Sequence, residues 1–316
     1  MSAAALVAAA ALASTPFSAT AFDCTGVPPQ LEHIPGAERF MYRRAGRNLY
    51  MHVFRPARPG RAPAVVLYFG GGWRTGMVDA FAERARAFAA SGYVAILPDY
   101  RVSCRDGVGP SGALFDGRAA YRWIVSQSGR LGVDPNRIVL GGGSAGGHLA
   151  IDAALHARSA RPPVALLLYN PAVDLSAMPA QIRLPKAQAL AISPIAWPLR
   201  ALPPTLIMQG EADRTVTLAS IRTFCRRASD AGRVCQVIAY EGQQHGFFHR
   251  TAVDPRLGAS PYDDTLARSL DFLARLNLEA RPSDRAGVPD TAAEPPRGPT
   301  TTTVRARDAS APASNE

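Results

Sequence analysis

One stretch constrains this chain more than any other. Ile138-Val139-Leu140 is a short apolar, β-prone run, and Ala145–Ala157 has the composition and spacing of a helix. Between them lies Gly141-Gly142-Gly143-Ser144, so Gly142-x-Ser144-x-Gly146 sits on a strand-to-helix turn. A serine on so sharp a turn has strained backbone angles. The residues two before and two after it must be small, or their Cβ atoms would collide across the turn. The outcome is a hydroxyl raised above a sheet, at the positive end of a helix. Dinucleotide and phosphate loops are the competing explanations. No lysine follows as a phosphate loop requires, and no ribose-binding acid stands at the usual distance.

The surrounding pattern agrees with a strand-helix alternation. Arg39–Arg43 and Leu49–Phe54 flank Ala45-Gly46-Arg47 as a hairpin. Strands follow at Ala64–Phe69, Tyr93–Leu97, Arg137–Leu140, Val164–Tyr169, Thr205–Met208 and Val234–Tyr240. Helices are predicted at Asp79–Ser91, Leu114–Ser126, Ala145–Ala157, Val216–Ala231 and Asp264–Leu276. Apolar strands alternating with helices imply an α/β fold: about eight strands, mostly parallel, with helices on both faces. The expected layout is a leader over 1–21, one domain over 22–280, and a disordered Pro/Thr/Ser/Ala-rich tail over 281–316.

The leader expectation rests on residues 4 to 13, which are Ala, Leu and Val only, followed by Ala19-Thr20-Ala21 as a small-x-small cleavage site. No Lys or Arg precedes that apolar run, although signal peptides normally carry one. The expectation is a secreted or periplasmic protein, mature from Phe22, with no stable membrane insertion. Four cysteines, Cys24, Cys104, Cys225 and Cys235, suit an oxidising compartment and admit three pairings. The short return through Gly232 can bring Cys225 to Cys235, which leaves Cys24 with Cys104. With no CxxC and no ligand cluster, neither a metal nor another cofactor is expected. The net charge of +10 comes from the body, because the tail holds five Arg and five acids. Lys186 is the single lysine and no basic run occurs, so nucleic acid is not an expected partner.

A serine needs a base, and the base an orienting acid. In this architecture they follow in the order Ser, Asp or Glu, His. Asp213 closes Gln209-Gly210-Glu211-Ala212-Asp213, just after a strand, with Glu211 as the alternative acid. His245 lies in the loop Gly242–Phe248 after the last strand, with His249 as the alternative base. His148, one turn past the serine, reads as structural. A developing oxyanion needs backbone N–H donors. Phe69-Gly70-Gly71-Gly72-Trp73 follows the first parallel strand, where such donors belong.

These residues also carry a family likeness. Tyr68–Trp73, Pro98-Asp99-Tyr100-Arg101, Asp134-Pro135-Asn136-Arg137, Gly141–Ala150, Asn170-Pro171, Pro203-Pro204-Thr205, Gly210–Asp213 and Gly242–Phe248 resemble the α/β-hydrolase esterases and lipases. The nearest resemblance is to acetyl xylan esterases and feruloyl-type carbohydrate esterases. It implies Ser144 as nucleophile, His245 as base, Asp213 as acid, and Gly71, Gly72 and Ala145 as oxyanion donors. One departure stands out: the family pattern usually has His before the three glycines, and this chain has Phe69. The expected function is a serine carboxylic-ester hydrolase working through an acyl-enzyme on a carbohydrate or other small ester, acetyl above all. A prolyl-oligopeptidase-like peptidase and a non-catalytic binding protein of the same fold are the alternatives. The sequence is silent on oligomeric state.

Overall fold

The computed structural model describes residues 23–58, 60–157, 161–178, 182–250, 260–279 and 301–303. The expected leader, and the tail apart from 301–303, lie outside the described residues. One sheet organises the chain, with strand order β1-β2-β4-β3-β5-β6-β7-β8-β9. β1 (Glu38–Ala45) and β2 (Arg47–Phe54) form the expected antiparallel hairpin, with a register shift between Met41 and Arg43. β2 pairs antiparallel with β4 (Val94–Pro98). β4, β3 (Ala62–Tyr68), β5 (Val133–Gly143), β6 (Ala165–Tyr169), β7 (Thr205–Gly210) and β8 (Cys235–Tyr240) follow as parallel neighbours in that order.

β3, β4, β6 and β7 are buried along their whole length, and β5 over Ile138–Gly143, because helices cover both faces. The longest helices are α1 (Ala82–Ala90), α2 (Pro110–Ser126), α3 (Ala145–His156), α4 (Leu218–Asp230) and α5 (Pro261–Arg275). Caps explain two of the starts: the Thr217 and Ser260 side chains accept from Ser220 N–H and Tyr262 N–H at α4 and α5. Pro110 and Pro261 open α2 and α5, where a missing N–H costs nothing. Among the described residues no helix is long and apolar enough to cross a membrane.

Beyond the eight strands expected, Thr301–Thr303 forms β9, antiparallel to β8. It falls inside the stretch expected to be disordered. The physical reason is non-local: β8 offers a row of unpaired backbone groups, and a β-branched run from far along the chain can add to it. Both disulfides follow the expected pairing, Cys24–Cys104 with Cα atoms 5.2 Å apart and Cys225–Cys235 at 5.3 Å.

Candidate active site

The turn from β5 into α3 lifts Ser144 into a left-handed conformation, φ 53° and ψ −120°. Such angles are uncommon for a residue with a side chain and persist only where the surroundings enforce them. The enforcing contacts are visible. A Cβ on Gly146 would lie 2.0 Å from the Tyr68 carbonyl oxygen and 2.4 Å from that of Phe69. A Cβ on Gly142 would lie 2.6 Å from the Gly146 carbonyl carbon. Both positions must therefore be glycine, as the turn argument requires. Gly147 is excluded from carrying a side chain by Pro171, whose Cβ would be 2.6 Å away.

Ser144, His245 and Asp213 converge from three strand ends. The Ser144 Oγ lies 2.9 Å from His245 Nε2, and His245 Nδ1 lies 2.7 Å from an Asp213 carboxylate oxygen. With both ring nitrogens engaged, neither Glu211 nor His249 occupies a place in this chain of contacts. The His249 ring instead lies beside Phe248, centroids 4.3 Å apart. The Asp213 side chain is fully buried, and that burial by itself would raise its carboxyl. Hydrogen bonds from His245 and from the Val216 and Thr215 N–H groups outweigh it and hold the carboxyl below its usual range. Asp213 is thus an anion suited to orienting and steadying an imidazolium.

Three supporting residues, two of them within the motif stretches, had no role assigned from the sequence. Gln209 donates to the Asp213 carboxylate at 3.1 Å and to the Val216 carbonyl at 2.8 Å. Asn170, at φ 37°, accepts the Gly246 N–H at 3.0 Å and so fixes the loop of His245. Arg84, fully buried, donates to the Phe248 carbonyl at 2.8 Å on that loop's far side. Gln209 acts locally, four residues from Asp213, whereas Asn170 and Arg84 reach the histidine loop from distant elements, which no local pattern signals.

The glycine loop passes directly against the nucleophile. A Cβ on Gly70 would be 3.4 Å from the Ser144 Cβ and 3.0 Å from the Gly143 carbonyl oxygen. Gly71 and Gly72 follow at φ 120° and 62°, conformations that glycine adopts without strain. Ala145 is the first residue of α3, in the turn whose N–H groups have no intrahelical partner. Phe69 is 1% exposed. Its ring stacks on Tyr100 with centroids 4.0 Å apart, and the Tyr100 hydroxyl donates to the Phe69 carbonyl at 2.7 Å. Trp73, at φ 58°, is also buried, edge-on to His148 at 5.4 Å. His148 is buried between Trp73 and Trp197, a structural position as expected. Trp197 belongs to the segment covering α3, which holds short helical turns.

Comparison with known proteins is consistent with this geometry. A family profile described as the alpha/beta hydrolase fold matches residues 65–191. The structure of a thermophilic esterase from the planctomycete Thermogutta terrifontis, with propionate bound, superposes with a TM-score of 0.68 at 33% identity. That match covers 78% of this chain and 96% of the esterase. The chain belongs to the α/β-hydrolase family of esterases and lipases. The same planctomycete esterase with butyrate bound gives a TM-score of 0.69 at 32% identity, over 78% of this α/β-hydrolase and 96% of that protein. Carboxylesterase NlhH of Mycobacterium tuberculosis is 39% identical over 119 residues, 36% of this chain and 37% of its own. Carboxylic ester hydrolase LipN of the same species is 31% identical over 163 residues, 49% and 42% respectively. This α/β-hydrolase therefore spans less than half the length of those curated relatives.

Proposed function

We propose that this α/β-hydrolase is a serine carboxylic-ester hydrolase working through an acyl-enzyme. The observation that carries the reading is the unbroken contact from Ser144 Oγ through His245 to the buried Asp213. Ser144 attacks the ester carbonyl while His245 takes its proton, and Asp213 holds the ring in the tautomer that can accept it. The oxyanion meets N–H groups of Gly71, Gly72 and Ala145. His245 returns its proton to the departing alkoxide, then activates the water that releases the acid.

The substrate reading is a short acyl group on a carbohydrate or other small alcohol, acetyl foremost. Support comes from the wall beside the nucleophile: a Cβ on Gly143 would meet the Phe248 ring at 2.4 Å, so aromatic carbon stands against this strand end. Phe81 stacks on Phe248 with centroids 5.6 Å apart. The planctomycete relative's structures with propionate and butyrate are in keeping with small acids. Export to the periplasm or beyond completes the proposal, supported by two disulfides and the apolar N-terminal run.

The test is a panel from 4-nitrophenyl acetate through octanoate to acetylated xylan, with Ser144→Ala beside the wild type. Turnover should be greatest with acetate and vanish in Ser144→Ala while the melting curve stays cooperative. Unchanged turnover in Ser144→Ala would overturn the mechanism, and a preference for octanoate would overturn the substrate class.

A further inference from the structure

We propose that Gln30 and Arg105, tied together by the Cys24–Cys104 disulfide, are positioning residues that brace the glycine loop in place of the imidazole missing at position 69. This rests on the reading of Gly71 and Gly72 as oxyanion donors. Gln30 lies well outside the family-matched residues 65–191, in the segment before the hairpin. Its side chain nevertheless reaches the far end of the glycine loop. The Gln30 Oε1 accepts the Val78 N–H at 3.0 Å, and the Nε2 donates to Asp99 Oδ1 at 3.1 Å and lies 3.5 Å from the Gly76 carbonyl oxygen. Arg105 donates to that same Gly76 carbonyl at 2.6 Å.

Gly76 is the mechanical link to the nucleophile. At φ 101°, it folds back so tightly that a Cβ there would lie 2.0 Å from the Gly70 carbonyl oxygen and 2.7 Å from the Phe69 ring. Gly70 in turn rests against Ser144. Between them, Arg74 and Thr75 N–H groups both donate to the Gly71 carbonyl at 3.1 Å, closing the loop on itself. The turn that carries Arg105 is docked on the same loop: Ser103 N–H donates to the Trp73 carbonyl at 2.9 Å and Cys104 N–H to that of Arg74 at 3.0 Å. Cys104 is bonded to Cys24, six residues before Gln30. The disulfide thus fastens the segment bearing Gln30 to the turn bearing Arg105, and both act on Gly76. The Phe69 ring can make no hydrogen bond to the loop, and here the polar brace is applied from outside, through residues distant in sequence.

The test compares wild type, Gln30→Leu, Cys24→Ser/Cys104→Ser and, as a control at the other end of the sheet, Cys225→Ser/Cys235→Ser. Amide hydrogen exchange over residues 70–78 is followed by mass spectrometry, with kcat and KM for 4-nitrophenyl acetate measured in parallel. In Gln30→Leu and Cys24→Ser/Cys104→Ser, exchange over 70–78 should quicken about tenfold or more while residues 205–210 keep wild-type protection. The kcat should fall about tenfold, part of the hundredfold or greater loss that follows removal of an oxyanion donor, with KM changed less than twofold. The control pair should leave loop exchange unaltered. Unchanged exchange over 70–78 overturns the bracing, and faster exchange with wild-type kcat overturns its catalytic consequence. Quickened exchange over 205–210 as well would show general loosening and overturn the specific role. A wild type that hydrolyses no ester refutes the proposed function instead, and the exchange comparison still decides the brace.

Discussion

Replacing Phe69 with Ala removes the ring that packs beneath the oxyanion loop, and the structure sets what this should cost. The ring is 1% exposed, stacked on Tyr100 at 4.0 Å, and touched closely by the backbone at Gly76. Phe→Ala changes in such settings cost about 3–5 kcal/mol of stability. The backbone brace survives in part, because the Tyr100 hydroxyl bonds the Phe69 carbonyl and not its side chain. The loop should loosen without collapsing. A lost oxyanion donor is worth about 2.7–4 kcal/mol in the transition state. Partial misdirection of Gly71 and Gly72 should then lower kcat roughly ten- to a hundredfold, with KM moving less than threefold because the donors act mainly after attack. Initial rates with 4-nitrophenyl acetate, taken well below the melting temperature, separate this from unfolding, and urea titration measures the stability loss alongside. A variant that is several kcal/mol less stable but retains wild-type kcat would show that Phe69 supports the fold alone, and would refute packing as the support of the donors.

Gly146→Ala should abolish the folded enzyme or cost about 4 kcal/mol or more, because the new Cβ meets two immovable carbonyl oxygens at 2.0 and 2.4 Å. Gly72→Ala, with nothing within 4 Å and φ +62°, should cost only about 1 kcal/mol; soluble yield and melting temperature distinguish the two. Stability should also fall on mild acidification. His52 and His148, 1% and 0% exposed, are both pushed down to about 4, chiefly by burial. Between roughly pH 6.5 and 4 the unfolded chain binds the protons that the fold refuses, so by pH 5 each should remove about 2 kcal/mol, and neither contributes above pH 6.5. The depressed Asp213 carboxyl has the opposite linkage, stabilising above about pH 3.9 and losing that share below it. Urea midpoints at pH 7 and pH 5 should differ accordingly, and less so in His148→Leu; a flat profile would refute the burial argument.

The sequence alone determined the strand-helix alternation, the serine turn and the order of Ser144, Asp213 and His245. Each of these is written in local chemistry. Apolar runs bounded by breakers specify strands, and the serine turn is spelled by Gly142 and Gly146 in sequence, although the carbonyls of Tyr68 and Phe69 that forbid a side chain at 146 come from the neighbouring strand end. The Cys225–Cys235 pairing was legible for the same reason, since ten residues of helix, turn and strand bring the two together. Position 69 was half legible. The missing imidazole could be read from the sequence, whereas the Tyr100 ring stacked on Phe69 could not. Only the tertiary structure decided that Gln209 and Asn170 anchor the acid and the base, that Arg84 ties the histidine loop to α1, and that Gln30 reaches Gly76 from 46 residues away. It also decided that Thr301–Thr303 completes the sheet edge. A polar side chain announces in sequence that it needs a partner, but a hydrogen bond a few ångströms long carries no record of the chain separation it spans. That choice is made by how the sheet and its loops pack.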